Sequence, residues 1–224
     1  MIIDCISDLH GFYPKLKGGD LLIIAGDLTS RDTCQDYEEF DSWLQKQSYK
    51  KKIVIGGNHD NFMEQGCKFP FSDYDADARE EKPWADYLCD SGTEFEGLKI
   101  WGSPWTRTFK GMNPKCKAFT FDTQKELSTK WKLIPDDIDI LVTHSPSYGI
   151  FDEVKNFYSG KIENVGSISL AKNIIFRVRP KLHIFGHIHE HGGQIKEINS
   201  TKYINASFVN EHYEPVNEPV RIFL

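Results

Sequence analysis

Five short apolar runs in this chain each end in a cluster of polar, chemically capable residues. Ile2 to Ile6 runs into Ser7-Asp8, and Leu21-Leu22-Ile23-Ile24 runs into Ala25-Gly26-Asp27. Lys52-Ile53-Val54-Ile55 leads to Gly56-Gly57-Asn58, residues 138–142 lead to Thr143-His144, and residues 181–185 lead to Gly186-His187. Their length and β-branched content predict buried strands. Tyr37, Phe40, Trp43 and Leu44 recur at helical spacing and predict a helix over 36–47. Residues 123–131 and 164–178 predict two more, the second stopped by Arg179-Pro180. Residues 93–101 read as a hairpin turning at Gly97, and the segment from Gly192-Gly193 through Tyr203-Ile204-Asn205 reads as hairpin strands. Residues 61–83 lack periodicity and predict a long surface loop. Within them, Asp73-Tyr74-Asp75-Ala76-Asp77 has the opening of a calcium loop. Ala78 stands where that loop needs glycine and Trp84 where it needs an acid, so the motif is excluded. The order of elements implies an α/β fold with two sheets flanked by helices.

The polar motifs run from Asp8 to His189 with no linker between them, so residues 1–224 read as a single domain, large enough to bury a core without staples. A net charge of −6 argues against bulk nucleic acid as a partner and leaves a small nucleotide open. Cys5, Cys34, Cys67, Cys89 and Cys116 are odd in number and form no C-x-x-C pair. That excludes a disulfide framework and points to a reduced, intracellular protein, cytoplasmic in location. The N-terminus has no basic segment followed by a long apolar one, and no apolar run reaches membrane-spanning length. Neither a signal peptide nor a membrane anchor is expected. Oligomeric state is left open.

The chemistry lies in five blocks: Asp8-x-His10, Gly26-Asp27, Gly57-Asn58-His59-Asp60, Thr143-His144 and Gly186-His187-Ile188-His189. Any one of them alone is most simply a strand-end turn or a satisfied polar residue. Together they use five of the chain's eight histidines, and all follow predicted strands. Open α/β sheets gather their ligands at the carboxyl ends of strands. Four imidazoles, two carboxylates and one amide oxygen suit zinc, manganese or iron better than calcium or magnesium. Seven side chains are too many for one ion. Two ions can clamp the attacking and leaving oxygens of an in-line displacement.

These blocks resemble those of the calcineurin-like metallophosphoesterases, and the resemblance spans nearly the whole chain. It implies a four-layer α/β/β/α sandwich of two mixed sheets flanked by helices. It also implies two divalent metal ions (Mn²⁺, Fe²⁺/Fe³⁺ or Zn²⁺). Asp8, His10 and His189 would hold the first, Asn58, His144 and His187 the second, and Asp27 would bridge. His59 would be the catalytic acid or phosphate donor, oriented by Asp60. Five further segments are similar to the metallophosphoesterase-domain-containing (MPPED) branch, itself similar to the class III cyclic-nucleotide phosphodiesterases. They are residues 52–59, Gly102-Ser103-Pro104-Trp105-Thr106, Leu133-Ile134-Pro135, residues 179–186 and Tyr203-Ile204-Asn205-Ala206-Ser207. Some animal members of that branch carry glycine at the place of His187. The histidine here completes the set. The implied activity is hydrolysis of a phosphodiester of a small nucleotide-like substrate, a cyclic nucleotide among the options, by metal-activated hydroxide. A phosphomonoesterase or protein phosphatase would use the same metal site. A non-catalytic protein-binding scaffold with this fold is the alternative from another class.

Other residues have two readings. Trp105, in a loop bounded by glycine and proline, either stacks on a nucleobase or anchors its loop. Arg107 either forks onto phosphate or is solvated. Arg31 sits where protein phosphatases of this superfamily keep a substrate arginine. Gly56-Gly57, however, precedes Asn58 where those enzymes have an arginine, so Arg31 reads as a surface residue. His183 reads as packing, Glu190 and His191 as partners of the ligating imidazoles, Lys50-Lys51-Lys52 as a solvated turn, and Cys5 as a buried small hydrophobe. His212 has no evident role. Residues 61–83 and 105–121 are expected to build the substrate pocket.

Overall fold

Strands that are apolar on both faces need cover on both faces, and this chain supplies a second sheet on one side and helices on the other. The structure, a computed structural model, describes residues 1–66, 85–108, 111–156 and 159–224. Its strands in chain order are β1 (Ile2–Ile6), β2 (Gly19–Ala25), β3 (Tyr49–Ile55), β4 (Asp86–Tyr87), β5 (Ser91–Phe95), β6 (Leu98–Ser103), β7 (Thr106–Arg107), β8 (Thr120–Phe121), β9 (Ile140–Thr143), β10 (Glu153–Lys155), β11 (Ile162–Asn164), β12 (Leu182–Phe185), β13 (Ile195–Ile198), β14 (Thr201–Asn205) and β15 (Val220–Phe223). The helices are α1 (Cys34–Gln45), α2 (Asn61–Glu64), α3 (Gln124–Trp131) and α4 (Ile168–Asn173).

Among the described residues, one five-stranded sheet has the order β15-β1-β2-β3-β4. It is parallel from β1 to β4, with β15 antiparallel at its edge. A six-stranded sheet has the order β13-β14-β12-β9-β6-β5, its four central strands parallel and both edges antiparallel. Cys5, Ile23 and Ile53 from the first sheet meet Ile100, Val142 and Ile184 from the second in the layer between them. The alternate residues Leu22, Ile24 and Val54 pack against Tyr37, Phe40 and Leu44 of α1. Leu141, Phe185 and Tyr203 face Leu127 and Trp131 of α3 and Leu170 of α4. The result is the expected α/β/β/α sandwich of two mixed sheets. Cys5 is fully buried, and that burial pushes its thiol pKa above the ordinary range.

Local chemistry sets the element ends. α1 begins two residues before the expected 36–47 because Thr33 caps it. The Thr33 hydroxyl accepts from the Asp36 amide at 3.2 Å, and the Asp36 carboxylate accepts from the Thr33 amide at 3.1 Å. Thr123 and Glu126 build the same box on α3. The helix expected over 164–178 starts only at Ile168, with Ser167 as its cap, because residues 162–164 join the β10–β11 ribbon. Its last turn, Ile174–Val178, widens to a π-helix and stops at Arg179, left-handed at φ +47°. Glu96-Gly97 and Asn199-Ser200 turn their hairpins with positive φ at both residues, as two-residue loops of type I′ require. Residues 61–64 are helical, not loop, and 67–84, with the rejected calcium-like motif, lie outside the described residues. Lys50-Lys51-Lys52 is strand, not turn. Lys50 pairs with Asp20 and Lys51 with Asp86, and Lys52 is buried with its ammonium donating to the Gln45 carbonyl at 3.2 Å.

Candidate metal centre

The carboxyl ends of β1, β2, β3, β9 and β12 come out at one edge of the sandwich because parallel pairing aligns them. Ile6 lies beside Ile24, Ala25 beside Ile55, and Ile184 beside Val142. Beyond the strands the backbones stay tied. The Asp8 amide donates to the Gly26 carbonyl, that of Gly186 to His144, and that of Ser7 to Ala206 in the other sheet. Four of the candidate ligands then take left-handed backbone: Asp8 (φ +52°), His10 (+43°), Asp27 (+54°) and His187 (+70°). Each costs roughly 1–2 kcal/mol, and such strain persists only where surroundings over-determine it. Two glycines make room. A Cβ on Gly57 would stand 2.3 Å from Asp27 Oδ1, and one on Gly186 would stand 2.0 Å from Asp8 Oδ2.

One ligand atom each from Asp8, His10, Asp27 and His189 lies within 4.8 Å of the others. Bonds of about 2.0–2.2 Å to a transition metal allow donors up to roughly 4.4 Å apart across the ion. This cluster therefore needs only a small contraction. His189 Nε2 is 3.1 Å from Asp8 Oδ1 and 3.4 Å from His10 Nε2. Asp8 Oδ2 also accepts from the Ser207 hydroxyl at 2.8 Å and the His187 amide at 3.0 Å.

A second convergence lies beside it. His144 Nδ1 donates to the Ala25 carbonyl at 2.8 Å, which leaves Nε2 of the neutral ring as an acceptor. The Asn58 amide nitrogen donates to the Cys116 carbonyl, which turns its oxygen inward. His144 Nε2 then faces Asn58 Oδ1 at 3.1 Å and Asp27 Oδ2 at 3.4 Å. These three buried groups need a shared positive charge between them, supplied by a proton on His144 in the metal-free fold or by a metal ion in its place. The His187 ring adjoins this point, its centroid 5.0 Å from that of His144. The donor chemistry thus fits divalent metal.

The titrations express the same demand. Burial lowers the His144 pKa, but the Asp27 and Asp8 charges and the Ala25 carbonyl outweigh it and raise it to about 9. Burial raises the Asp27 and Asp8 carboxyls. For Asp27 the opposing effect comes from His144 and His59, for Asp8 from His189 and His144, and both carboxyls end well below the usual range. Burial pulls His10 down to about 4 and His187 to about 3, so both imidazoles are neutral and free to ligate. His189 is raised, burial being outweighed by its bond to Asp8.

His59 stands at the cavity rim, its Nε2 3.9 Å from Asp27 Oδ2 and its amide donating to Asp27 Oδ1 at 2.9 Å. Asp60 does not touch the His59 ring, contrary to the expected orienting role. Its buried carboxylate accepts from the amides of Gly57 (2.7 Å), Asp27 (2.9 Å) and Leu28 (3.1 Å) and from the Tyr37 hydroxyl (3.1 Å). It staples the Asn58 turn to the Asp27 turn. Burial and the Asp27 charge push it up to about 7 against the bonds from Gly57 and Leu28.

A cavity of about 880 Å³ opens over the centre, lined there by Asp27, Asn58, His187 and His189, with His59 at its rim. Thr106, Arg107, Thr108 and Lys117 line one side, within the expected 105–121 loop, and Arg107 is exposed there. Trp105 is not on the wall. Its ring stacks on Phe121, its Nε1 donates to Asp90 at 2.8 Å, and the Lys130 ammonium sits 4.0 Å from its centroid. That is the loop-anchoring reading, not the base-stacking one. Arg31 is exposed and pairs with Asp36. His183 is buried and bonded to Thr143. Glu190 lines the cavity, whereas His191 faces the Glu153 carbonyl rather than a ligand. His212 is exposed and pairs with Glu211.

Sequence reasoning missed the β10–β11 ribbon, which supplies Val154, Lys155 and Glu163 to the cavity, and it missed Ser207 and Tyr213. Ser207 lies in a segment that carried the resemblance, but nothing local marks it as a partner of Asp8. Tyr213 lines the cavity with its ring centroid 4.8 Å from His10 and 5.1 Å from His189, and no sequence signal identifies it.

No described helix is long and apolar enough to cross a membrane. Residues 1–191 match the model of the calcineurin-like phosphoesterase family. The human protein named metallophosphoesterase domain-containing protein 1 is 36% identical over 238 residues, an alignment that covers 98% of this chain and 70% of that protein. A Caenorhabditis elegans relative, UPF0046 protein T07D4.2, is 35% identical and covers 96% of this chain and 58% of its own. A phosphopantetheinyl hydrolase from Mycobacterium tuberculosis shares the fold, with a TM-score of 0.59 at 15% identity over 94% of this chain and 90% of that one. With its fold and its Asp/His cluster, the chain belongs to the calcineurin-like phosphoesterase family, on the metallophosphoesterase-domain-containing branch, and is a metal-dependent phosphoester hydrolase.

Proposed function

We propose that the chain hydrolyses a phosphodiester of a small nucleotide-like substrate at a two-cation centre. Asp8, His10 and His189 would hold one divalent ion, Asn58, His144 and His187 would hold the other, and Asp27 faces both sets. One observation carries this reading: Asp27 Oδ2 is 3.7 Å from His10 Nε2 on one side and 3.4 Å from His144 Nε2 on the other. A single oxygen that faces both donor groups is what a bridging ligand requires. The mixed nitrogen and oxygen set favours manganese, iron or zinc. When bound, such ions supply positive charge for the phosphoryl oxygens and lower the pKa of water.

The chain's own groups do the rest. His59, in its protonated form, donates to the leaving alkoxide from the rim of the cavity. Its amide bond to Asp27 holds acid and bridge in register. Arg107 forks onto a phosphoryl oxygen from the side wall. The cavity volume, about 880 Å³, lies in the range of roughly 300–1,000 Å³ that holds a nucleotide-sized ligand, which supports a diester with a sizeable substituent. The reading takes 1–224 as one catalytic domain. The free Cys5, Cys34, Cys89 and Cys116 support a reduced, cytoplasmic setting.

The test compares rates on bis-p-nitrophenyl phosphate and p-nitrophenyl phosphate with Mn²⁺, for the native chain and for Asp27→Ala and His189→Ala. The diester is expected to turn over faster, and each variant is expected to lose at least about a hundredfold. Full metal-dependent turnover in either variant overturns the assignment. A faster monoester transfers it to the phosphomonoesterase alternative.

A further inference from the structure

Tyr213 stands apart from every other residue at the cavity. Besides the imidazoles, it is the one aromatic ring on the wall among the described residues. It meets His10 and His189 edge to face, at interplanar angles of 69° and 86°, so it is not sandwiched, and it remains 47% exposed. Its backbone is left-handed at φ +60°, an uncommon state for a bulky residue that persists only when the surroundings impose it. Asn210 imposes it. The Asn210 side chain accepts from the amides of His212 and Glu214, both at 2.9 Å, and the Asn210 carbonyl accepts from the Tyr213 amide at 2.9 Å. The same loop is anchored below, where Asn217 donates to the Ser207 carbonyl at 3.0 Å. A ring placed with this much constraint, half open and beside the candidate cations, is a preorganised contact surface.

We propose that Tyr213 is the specificity-determining platform of the site, carrying on its ring the flat aromatic group of the substrate's ester while the phosphate lies over the Asp27 centre. This rests on the phosphoester-hydrolase reading above. Stacking on a rigid ring predicts a preference of about tenfold for aryl over alkyl phosphates.

Binding and turnover test it separately. Dissociation constants of phenyl phosphate and methyl phosphate are measured by calorimetry on the Mn²⁺-loaded native chain, Tyr213→Phe and Tyr213→Leu, with metal content determined for each. The native chain and Tyr213→Phe are expected to favour the phenyl ester about tenfold. Tyr213→Leu, which keeps apolar bulk against His10 and His189, is expected to bring the two ligands within about twofold at unchanged metal content and unchanged methyl phosphate affinity. A retained aryl preference in Tyr213→Leu overturns the inference, as does a parallel loss of metal and of both ligands, which marks a buttress only. A loss in Tyr213→Phe matching that in Tyr213→Leu moves the role to the hydroxyl and also overturns it. If the native chain shows this selectivity yet cleaves neither p-nitrophenyl ester, it is the hydrolase reading that fails, not the platform.

Discussion

Replacing Asp60 separates an orienting role for this residue from the structural one its contacts describe. Its carboxylate is fully buried and accepts from three backbone amides and the Tyr37 hydroxyl. Asp60→Ala removes the acceptor for all four donors. Counting only the amides, at about 1 kcal/mol each once entering water relieves part of the loss, gives roughly 3 kcal/mol. For a chain of this length that lowers Tm by roughly 6–12 °C. Asp60→Asn keeps one oxygen, which serves one pair of donors, and its amide group meets the other pair. Tyr37 can rotate to accept, so one amide remains opposed and the cost is about 1–2 kcal/mol. Two of the stapled amides belong to Gly57 and Asp27, so the staple also fixes the spacing of Asn58 and Asp27. Mn²⁺ affinity is therefore expected to fall by about 10–100-fold in Asp60→Ala. Thermal melts of the chelated protein and calorimetric Mn²⁺ titrations check both numbers. If Asp60→Ala melts within 2 °C of the native chain, holds Mn²⁺ normally and loses only kcat, as His59→Ala would, the residue acts through the His59 ring and the staple argument is wrong.

Raised to about 9 in the metal-free fold, His144 contributes stability that is complete below its unfolded pKa near 6.5 and is lost as pH climbs through about 9. The chelated protein is thus expected to melt progressively lower from pH 7 to pH 9, and the Mn²⁺-loaded protein is not; a flat chelated profile contradicts the assignment. Metal uptake at pH 7.5 is expected to release about one proton, from His144, whereas His10 and His187 are already neutral. Calorimetry in buffers of differing ionisation enthalpy counts the protons released, and zero release refutes it. In Gly57→Ala the new methyl meets Asp27 Oδ1 at 2.3 Å and the Asp27 amide at 2.6 Å, neither of which can retreat. A loss of about 1–3 kcal/mol in urea denaturation is expected, together with impaired metal binding. Ser207→Ala removes the hydroxyl that donates to buried Asp8 Oδ2 at 2.8 Å, so Mn²⁺ affinity should fall about 10–100-fold and the Tm of the chelated protein by roughly 3–10 °C; equal affinity in calorimetry would remove Ser207 from the site.

What the sequence determined by itself is what depends on neighbours along the chain. Continuous apolar runs such as Leu21-Leu22-Ile23-Ile24 announce strands covered on both faces, and ligand-type residues directly after each run announce where loops converge. The set from Asp8 to His189 was legible for that reason, as were the hairpin at Gly97 and the helix capped by Thr123. The tertiary structure alone decided which atoms meet. Ser207 reaches Asp8 across 199 residues, and Tyr213 comes to His10 only because an Asn210-centred loop folds back over the sheet edge. Asp60 sits next to His59 in sequence yet turns into the backbone of Asp27 and Leu28, where three buried amides need an acceptor. Trp105 turns from the cavity because Phe121, Asp90 and Lys130 offer its ring and its N–H better partners. Periodicity records which face of a strand is dry. Only the packing of distant segments fixes where each polar group finds its mate.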